Sequence, residues 1–222
     1  MKNGIFIIIP AYNEEKRIGK VLRGLKKYNL PTIVVDDGSR DRTSKIAKKG
    51  ATITLRRRVN LGSSKGAALK TGIEYAFELG AKAVILMDSD GQHKASDLPK
   101  FIKALDEGYE LVVGTRNFSM GVPLIRFLGN KIASVIVNLL FGVYFSDIPC
   151  GYRALTKKAY KELKWESLGY GVETEMLVRL SKTNLKYCEV PVEIVYYDKV
   201  KGVTVVDAIG IMFDVIRWKL NL

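Results

Sequence analysis

The chain has 222 residues, of which 47% are hydrophobic and 27% charged, a balance typical of an ordinary globular protein with a substantial core. A formal charge of +13 predicts an anionic partner, which is nucleic acid, an anionic membrane or a phosphorylated substrate. His93 is the only histidine, so the composition excludes a His-rich metal site and any histidine-based triad that does not use this residue.

The two cysteines indicate a reducing compartment. Cys150 and Cys188 stand far apart and match no zinc-binding spacing, so we expect reduced thiols in a cytoplasmic protein. The apolar run near the N-terminus, residues 4–10, is too short for a signal peptide.

Apolar runs and helical periodicities alternate through the first half of the chain. Residues 5–9 form a continuous apolar run typical of a central strand, and apolar positions then recur at helical spacing from Ile18 to Tyr28. The same patterns predict strands at 32–35, 51–55, 83–87 and 111–114, and helices around Ile46 and over 67–79 and 97–105. This alternation predicts βαβ units and an α/β fold with a mainly parallel sheet.

The stretch 83–93 carries the sharpest chemical signal. Its apolar run ends in Asp88-Ser89-Asp90-Gly91-Gln92-His93, and residues i and i+2 of an extended segment point to the same side. Asp88 and Asp90 are therefore able to converge on one divalent cation that bridges diphosphate oxygens. The alternative is that the motif is only a polar turn that closes a strand.

Polar clusters follow three of the predicted strands. Tyr12-Asn13-Glu14, Asp36-Asp37 and Asp88-Ser89-Asp90 would all lie at the carboxyl edge of the sheet, where open α/β sheets bind ligands. No G-x-G-x-x-G follows the first strand and no P-loop is present, which argues against a dinucleotide fold. Lys65, in the glycine-rich segment 60–66, is able to meet a phosphate or to remain a solvated lysine of a loop.

The second half has a different pattern. Residues 124–145 are strongly apolar, but the uncharged part, 132–145, is shorter than the ~20 residues that a spanning helix needs. This stretch is either an interfacial helix or a buried core helix, and Arg126 and Lys131 beside it favour the interfacial one. Residues 171–175 open a further helix, 188–197 predict a strand broken by a proline, and 205–222 predict an amphipathic helix that ends near Trp218. No paired hydrophobic spans follow.

Four motifs carry a resemblance that covers nearly the whole chain. Pro10-Ala11-Tyr12-Asn13-Glu14, Asp36-Asp37-Gly38-Ser39, Asp88-Ser89-Asp90-Gly91-Gln92-His93 and Asp147-Ile148-Pro149-Cys150-Gly151-Tyr152-Arg153 resemble family 2 inverting glycosyltransferases of the dolichyl-phosphate mannose synthase type. The resemblance implies a GT-A fold, with residues 1–115 as the nucleotide-sugar half and 116–222 as the acceptor half. The chain departs from many relatives at Lys199-Val200-Lys201-Gly202, where they have a Gly-x-Ser-Lys context.

The resemblance also implies the site residues. Asp88, Asp90 and Gln92 would be catalytic and would surround Mg²⁺ or Mn²⁺. The nucleotide would be held by a larger set: Pro10, Tyr12, Asn13, Glu14, Asp36, Asp37, Lys65, Asp88, Ser89 and Asp90. We expect Arg116 and Arg126, with Lys131 and Arg153 behind them, to grip an acceptor phosphate, because a guanidinium binds phosphate with two parallel donors.

Together, these expectations predict a reaction and a cellular location. A hexose, mannose or glucose, would pass from GDP-mannose or UDP-glucose to a polyprenyl or dolichyl phosphate in a single displacement with inversion. The protein would lie peripherally on the cytoplasmic face of an anionic membrane, without a nucleic-acid partner, and a homo-oligomer stays open.

Three alternatives remain. A family 2 enzyme acting on another acceptor, such as a growing glycan, would share the donor motifs. A sugar-phosphate nucleotidyltransferase would be expected to have a glycine-rich loop after the first strand, where this chain has Pro10-Ala11-Tyr12-Asn13-Glu14. A non-enzymatic membrane-binding module would explain the charge but would leave the acidic clusters without a purpose.

Overall fold

The computed structural model describes residues 4–58, 64–116, 124–195 and 205–221, with side chains for all of these except 124–127, 205–209 and 221. Over these residues the strands are β1 (Ile5–Ala11), β2 (Thr32–Asp36), β3 (Ile53–Arg56), β4 (Ala83–Leu86), β5 (Leu111–Arg116), β6 (Arg153–Thr156) and β7 (Tyr187–Val192). The helices are α1 (Ile18–Leu25), α2 (Thr43–Gly50), α3 (Lys65–Glu78), α4 (Leu98–Asp106), α5 (Leu124–Phe141), α6 (Lys157–Leu163), α7 (Val172–Leu180) and α8 (Val205–Asn221).

The described strands form one sheet in the order β3-β2-β1-β4-β6-β5-β7. β6 runs antiparallel to its neighbours β4 and β5, and the other pairs are parallel. Strands from both halves of the chain therefore share one sheet, with β6 of the second half inserted between β4 and β5 of the first.

Helices cover both faces of this sheet, which is why its central strands are apolar on both sides. One core layer packs the sheet against α3, α6 and α7, with Trp165 and Leu177 fully buried. The opposite layer packs it against α1, α2 and α4, with Ile18 and Phe101 fully buried.

The predicted α/β fold with a mainly parallel sheet is confirmed. Two elements were missed, β6 and α6, because the short segment 153–163 has neither a long apolar run nor a clear helical periodicity. The insertion of β6 has a consequence for the site, since it brings the segment 147–153 beside the end of β4.

Register places the ends of three strands together. Ala11 pairs with Asp36, and Ile8 of β1 pairs with Leu86 of β4. The polar residues that follow β1, β2 and β4 consequently lie at one edge of the sheet, as the sequence predicted.

Candidate active site

The loop after β1 is fixed to the loop after β2. Asn13 has a positive φ of 52°, and its backbone N–H donates to Ser39 Oγ at 2.9 Å while its side-chain oxygen accepts from Arg40 N at 2.9 Å. Glu14 N donates to Thr43 Oγ1 at 2.7 Å. Asparagine tolerates the left-handed conformation better than most residues, so this turn is compatible with its sequence.

The side chains of this first loop divide by exposure. Pro10 is buried at the end of β1, Glu14 is buried, and the Tyr12 ring is 42% exposed at the rim. Tyr12 is therefore an exposed aromatic side chain at the edge of this loop.

The acidic pair that ends β2 is buried, and the two carboxylates have different partners. Asp36 accepts from Ser39 N through Oδ1, whereas its buried Oδ2 has no hydrogen bond and faces Arg56 Nε at 3.4 Å. Asp37 accepts from Arg57 Nη1 at 2.5 Å and from the Ser64 hydroxyl. Asp37 thereby ties the end of β2 to the residue that precedes α3.

The two carboxylates after β4 are electrostatically coupled. Burial and then the neighbouring Asp88 raise the pKa of Asp90 to about 6, although Asp90 Oδ1 accepts from Gln92 N at 2.9 Å. Burial works to raise the pKa of Asp88 as well, but Lys65, His93 and Arg116 together hold that pKa below its usual value. Ser89 between them is buried, and it lies with Asp90 in a turn beyond the end of β4 rather than in extended backbone.

The single histidine contacts the backbone of this loop. His93 is buried, its Nδ1 accepts from Asp88 N at 3.3 Å, and its ring stacks on Tyr152 with centroids 4.9 Å apart. Burial lowers the pKa of His93 to about 4, so the ring is neutral at pH 7. Gln92 O accepts from Val195 N at 3.0 Å, which joins the loop to the chain that follows β7.

Lys65 lies inside this site. Its Nζ is 2.7 Å from Asp88 Oδ1 and 2.8 Å from Glu173 Oε1 of α7. Burial alone would lower the pKa of Lys65, but the two carboxylates raise it, so the side chain is charged. The solvated loop lysine is thus excluded, and the lysine contacts carboxylates of both halves of the chain.

A second charged cluster centres on Asp147, which is fully buried. Arg116 Nε and Nη2 each donate to its carboxylate at 2.6 Å, and Arg116 N donates at 2.9 Å. Asn130 of α5 donates to Asp147 Oδ1 at 3.1 Å and accepts from Ile148 N at 3.2 Å. The positive charge of Arg116 also contributes to lowering the pKa of Asp88 and of His93. Arg116 therefore stands within electrostatic reach of the loop after β4.

The other predicted acceptor residues have mixed outcomes. Arg153 is 1% exposed, and its guanidinium donates to three backbone carbonyls, those of Cys150, Glu173 and Ile148. These bonds join the segment 148–153 to α7 and leave the guanidinium buried, so the geometry gives no support to the phosphate role predicted for Arg153. Lys131 Nζ lies 3.5 Å from Ser146 O, and the Arg126 side chain falls outside the described residues. The segments 59–63 and 196–204, which include Asn60 and Lys199, also lie outside them.

The sequence patterns do not reveal the partners of these buried charges. The motif 147–153 gives no partner for Asp147, and the helix predicted to open at 171–175 gives none for Glu173. The signal that was available is a charged residue inside an otherwise apolar or glycine-rich segment, because a buried charge requires a partner elsewhere in the fold.

The acidic loop fits a divalent cation on its chemistry. In the part of the chain that the structure describes, no three His, Cys, Asp or Glu side chains come together as a metal-binding group. The predicted set of Asp88, Asp90 and Gln92 offers carboxylate and amide oxygens, which suit Mg²⁺ and Mn²⁺. Burial and the neighbouring Asp88 both disfavour the charged form of Asp90, and a bound cation would favour it.

An apolar face lies on α5 and α8. Leu128, Ile132, Val135 and Leu139 recur at helical spacing on α5 and are 47–77% exposed, whereas Ser134 and Val137 on its other side are buried. α8, which packs on α5, exposes Phe213, Ile216 and Leu220. We call these seven residues the apolar face.

The stretch 124–145 is therefore not a buried core helix throughout. None of the described helices has the length and hydropathy needed to cross a bilayer.

Comparison with known proteins identifies the fold and chemistry of this site. A family model described as glycosyl transferase family 2 matches residues 6–164. The chain belongs to this family. The resemblance seen in the motifs is confirmed.

Relatives of this glycosyltransferase are named for transfer to lipid phosphates. It is 34% identical to UDP-N-acetylglucosamine–dolichyl-phosphate N-acetylglucosaminyltransferase of Methanococcus voltae, over 98% of this chain and 96% of that protein. It is 30% identical to polyprenol monophosphomannose synthase of Mycolicibacterium smegmatis, over 97% of this chain and 86% of that one.

A solved structure shares the fold. Glucosyl-3-phosphoglycerate synthase of Mycobacterium tuberculosis, in complex with Mn²⁺, UDP and glucosyl-3-phosphoglycerate, superposes with a TM-score of 0.74 over 98% of this chain and 78% of that chain. At 22% sequence identity this likeness concerns the GT-A fold alone.

The nucleotidyltransferase and non-enzymatic alternatives are excluded by the family membership.

Proposed function

We propose that this glycosyltransferase moves a sugar from a nucleotide-diphospho-sugar to the phosphate of a polyprenyl phosphate, with a divalent cation at the loop after β4. One observation carries the proposal. The acidic loop of Asp88 and Asp90 and the Arg116–Asp147 pair stand within electrostatic reach, and Asn130 ties that pair to the helix that bears the apolar face. The proposed donor, phosphate and lipid sites would thereby be adjacent.

The donor half, residues 1–115, would bind the nucleotide along the carboxyl edge of the sheet. Tyr12 would pack against the nucleoside, and Asn13, Asp36 and Asp37 would shape its pocket. Asp88, Asp90 and Gln92 would hold Mg²⁺ or Mn²⁺, which when bound stabilises the negative charge of the departing diphosphate.

The acceptor half, residues 116–222, would supply positive charge rather than a base. A lipid monophosphate is already ionised near pH 7, so its oxygen needs no strong general base. Arg116, held by Asp147, and Lys131 would attract and orient that phosphate, with Arg126 as a further candidate. In-line attack on the anomeric carbon then gives a single displacement with inversion.

The identity of the sugar is a matter for a screen. Relatives are named for N-acetylglucosamine, mannose and glucose transfer, so N-acetylglucosamine joins the mannose and glucose that the motifs implied. We expect one of UDP-N-acetylglucosamine, GDP-mannose and UDP-glucose to raise the melting temperature in the presence of Mn²⁺ and to lose this effect with chelator. Equal stabilisation with and without chelator would contradict the metal assignment.

Transfer itself tests the acceptor. With the donor so chosen, label should move into the organic phase when polyprenyl phosphate is supplied. Transfer instead to a soluble glycan primer, and none to the lipid, would favour the other family 2 reaction.

The place of action follows from the apolar face. We propose that this face lies on the cytoplasmic surface of an anionic membrane, where the long acceptor chain is embedded, with the cations Lys131, Arg217 and Lys219 near its boundary. The competing occupant is a second copy of the chain, and a dimer that persists in detergent would identify it.

A further inference from the structure

We infer that Lys65 is a resident counter-ion of the metal-binding loop, a positioning residue that holds Asp88 together with Glu173 and sets how strongly the loop attracts a divalent cation. The inference rests on the proposed function, because it concerns the same loop. It assigns to Lys65 a contact with the protein's carboxylates, where the sequence alone suggested a contact with the nucleotide.

The contacts of Lys65 with the two carboxylates are short and largely shielded from solvent. Its ammonium bridges Asp88 Oδ1 and Glu173 Oε1 at 2.7 and 2.8 Å, and its side chain is only 17% exposed. Lysine is also the unfavourable charge for the first residue of a helix, since the N-terminus carries partial positive charge. Its presence there is explained by the two carboxylates and not by the helix.

Two glycines make room for this arrangement. A Cβ at Gly151 would lie 2.7 Å from Lys65 Nζ and 2.9 Å from Asp88 Oδ2, so any other residue would displace the pair. A Cβ at Gly66 would clash with the backbone oxygen of Ser167. Because glycine has no Cβ, the start of α3 packs directly on the loop 165–168. Trp165 Nε1 donates to Gly66 O at 3.1 Å and Ala67 N donates to Leu168 O at 3.2 Å, and these bonds fix the position of Lys65.

The charge of the cluster gives a quantitative consequence. Lys65, Asp88 and Glu173 together carry one net negative charge. Replacing Lys65 by methionine leaves two, replacing it by arginine leaves one, and the double variant Lys65→Met/Glu173→Gln also leaves one. If Lys65 acts as a counter-ion, affinity for a divalent cation should follow this charge.

The test is calorimetric titration of Mn²⁺ into the full chain, for the wild type and these three variants, alone and with the donor nucleotide. We expect Lys65→Met to bind Mn²⁺ at least about tenfold more tightly than the wild type, and the other two to bind within about threefold of it. A merely structural role of Lys65 would not raise affinity and would not be corrected by the second substitution. Lys65→Gln, which makes the same charge change with a polar side chain, replaces Lys65→Met if that variant does not fold.

Two results would overturn the inference: a Lys65→Met protein that binds Mn²⁺ less than about twofold more tightly than the wild type, or a double variant that binds as tightly as Lys65→Met. Either result leaves the proposed function intact if the wild type binds Mn²⁺ with the donor nucleotide. No Mn²⁺ binding in any of the four proteins would remove both the inference and the metal of the proposed function.

Discussion

At the scale of single residues, the two carboxylates that follow β4 differ in what surrounds them. Asp88 is held by Lys65 and lies above the neutral His93, whereas Asp90 accepts from Gln92 N and has its pKa raised by burial and by Asp88. Asp90 is therefore the carboxylate with more to gain from a bound cation, because its negative charge is the less compensated one.

Asp90→Asn should reduce transfer at least about 100-fold and leave the fold intact, because it removes a ligand charge from the end of a strand rather than a core contact. The measurement is initial rate at saturating Mn²⁺ beside a thermal melt. Glu78→Gln, which removes an exposed carboxylate at the C-terminal end of α3, is the matched control and should keep wild-type turnover. Near wild-type turnover of Asp90→Asn would rule out the assigned role.

Arg116 is the residue that we expect to separate transfer from donor chemistry. Arg116→Lys keeps the charge but loses the two-pronged contact with Asp147, so transfer to polyprenyl phosphate should fall at least about tenfold while slow hydrolysis of the donor by water stays unchanged. Arg179→Lys, which alters a comparable arginine paired with Glu175 and Glu166, is the control. If hydrolysis falls as much as transfer, Arg116 serves the donor or the fold.

At the scale of elements, the strands with long apolar runs were predictable from the sequence, and the short strand β6 inserted between them was not. β1, β2, β4 and β5 are largely buried on both faces, so each contains a run of at least three consecutive apolar residues. The polar clusters after β1, β2 and β4 lie at one edge of the sheet. β6 has four residues and begins with the buried Arg153, whose charge hides the strand in any hydropathy pattern. The ion pairs of Lys65 and Asp147 join residues far apart in the chain, so no local pattern predicts them.

The packing of α3 on the sheet gives a prediction about stability. A Cβ at Gly72 would lie 2.6 Å from Ile8 Cγ2 and 2.9 Å from Val35 Cγ2, whereas one at Gly129 of α5 meets nothing within 4 Å. Gly72→Ala should destabilise by about 1–3 kcal/mol through overpacking, while Gly129→Ala should stabilise by about 0.5–1 kcal/mol through helix propensity. Denaturant unfolding of both variants checks this, and a stabilised Gly72→Ala would show that α3 does not pack as closely as described.

At the scale of the whole molecule, the cluster of Arg116, Asp147 and Asn130 joins the end of β5 to α5, the helix that bears part of the apolar face. A protein with a net charge of +13 is drawn to anionic surfaces, and an exposed apolar face adds attraction that salt does not screen. The two contributions are separable by experiment.

Leu139→Gln should weaken association with anionic vesicles about tenfold, because Leu139 is 77% exposed at the apolar face and burying a leucine contributes roughly 1.5–3 kcal/mol. Leu79→Gln, which changes another exposed leucine outside that face, should bind like the wild type. Vesicle flotation measures both, and raising the salt should weaken binding of all three proteins. Equal flotation of Leu139→Gln and wild type would mean that the face does not contact the membrane.

The central claim is that the phosphate of a lipid is the nucleophile. It is tested most directly by supplying the same polyprenol with and without its phosphate, together with Mn²⁺ and the donor that stabilises the protein, and by following labelled sugar into the lipid. We expect a glycosylated polyprenyl phosphate of inverted anomeric configuration and no product from the bare alcohol. Equal transfer to both lipids, or transfer to neither while a soluble acceptor is glycosylated, would contradict it.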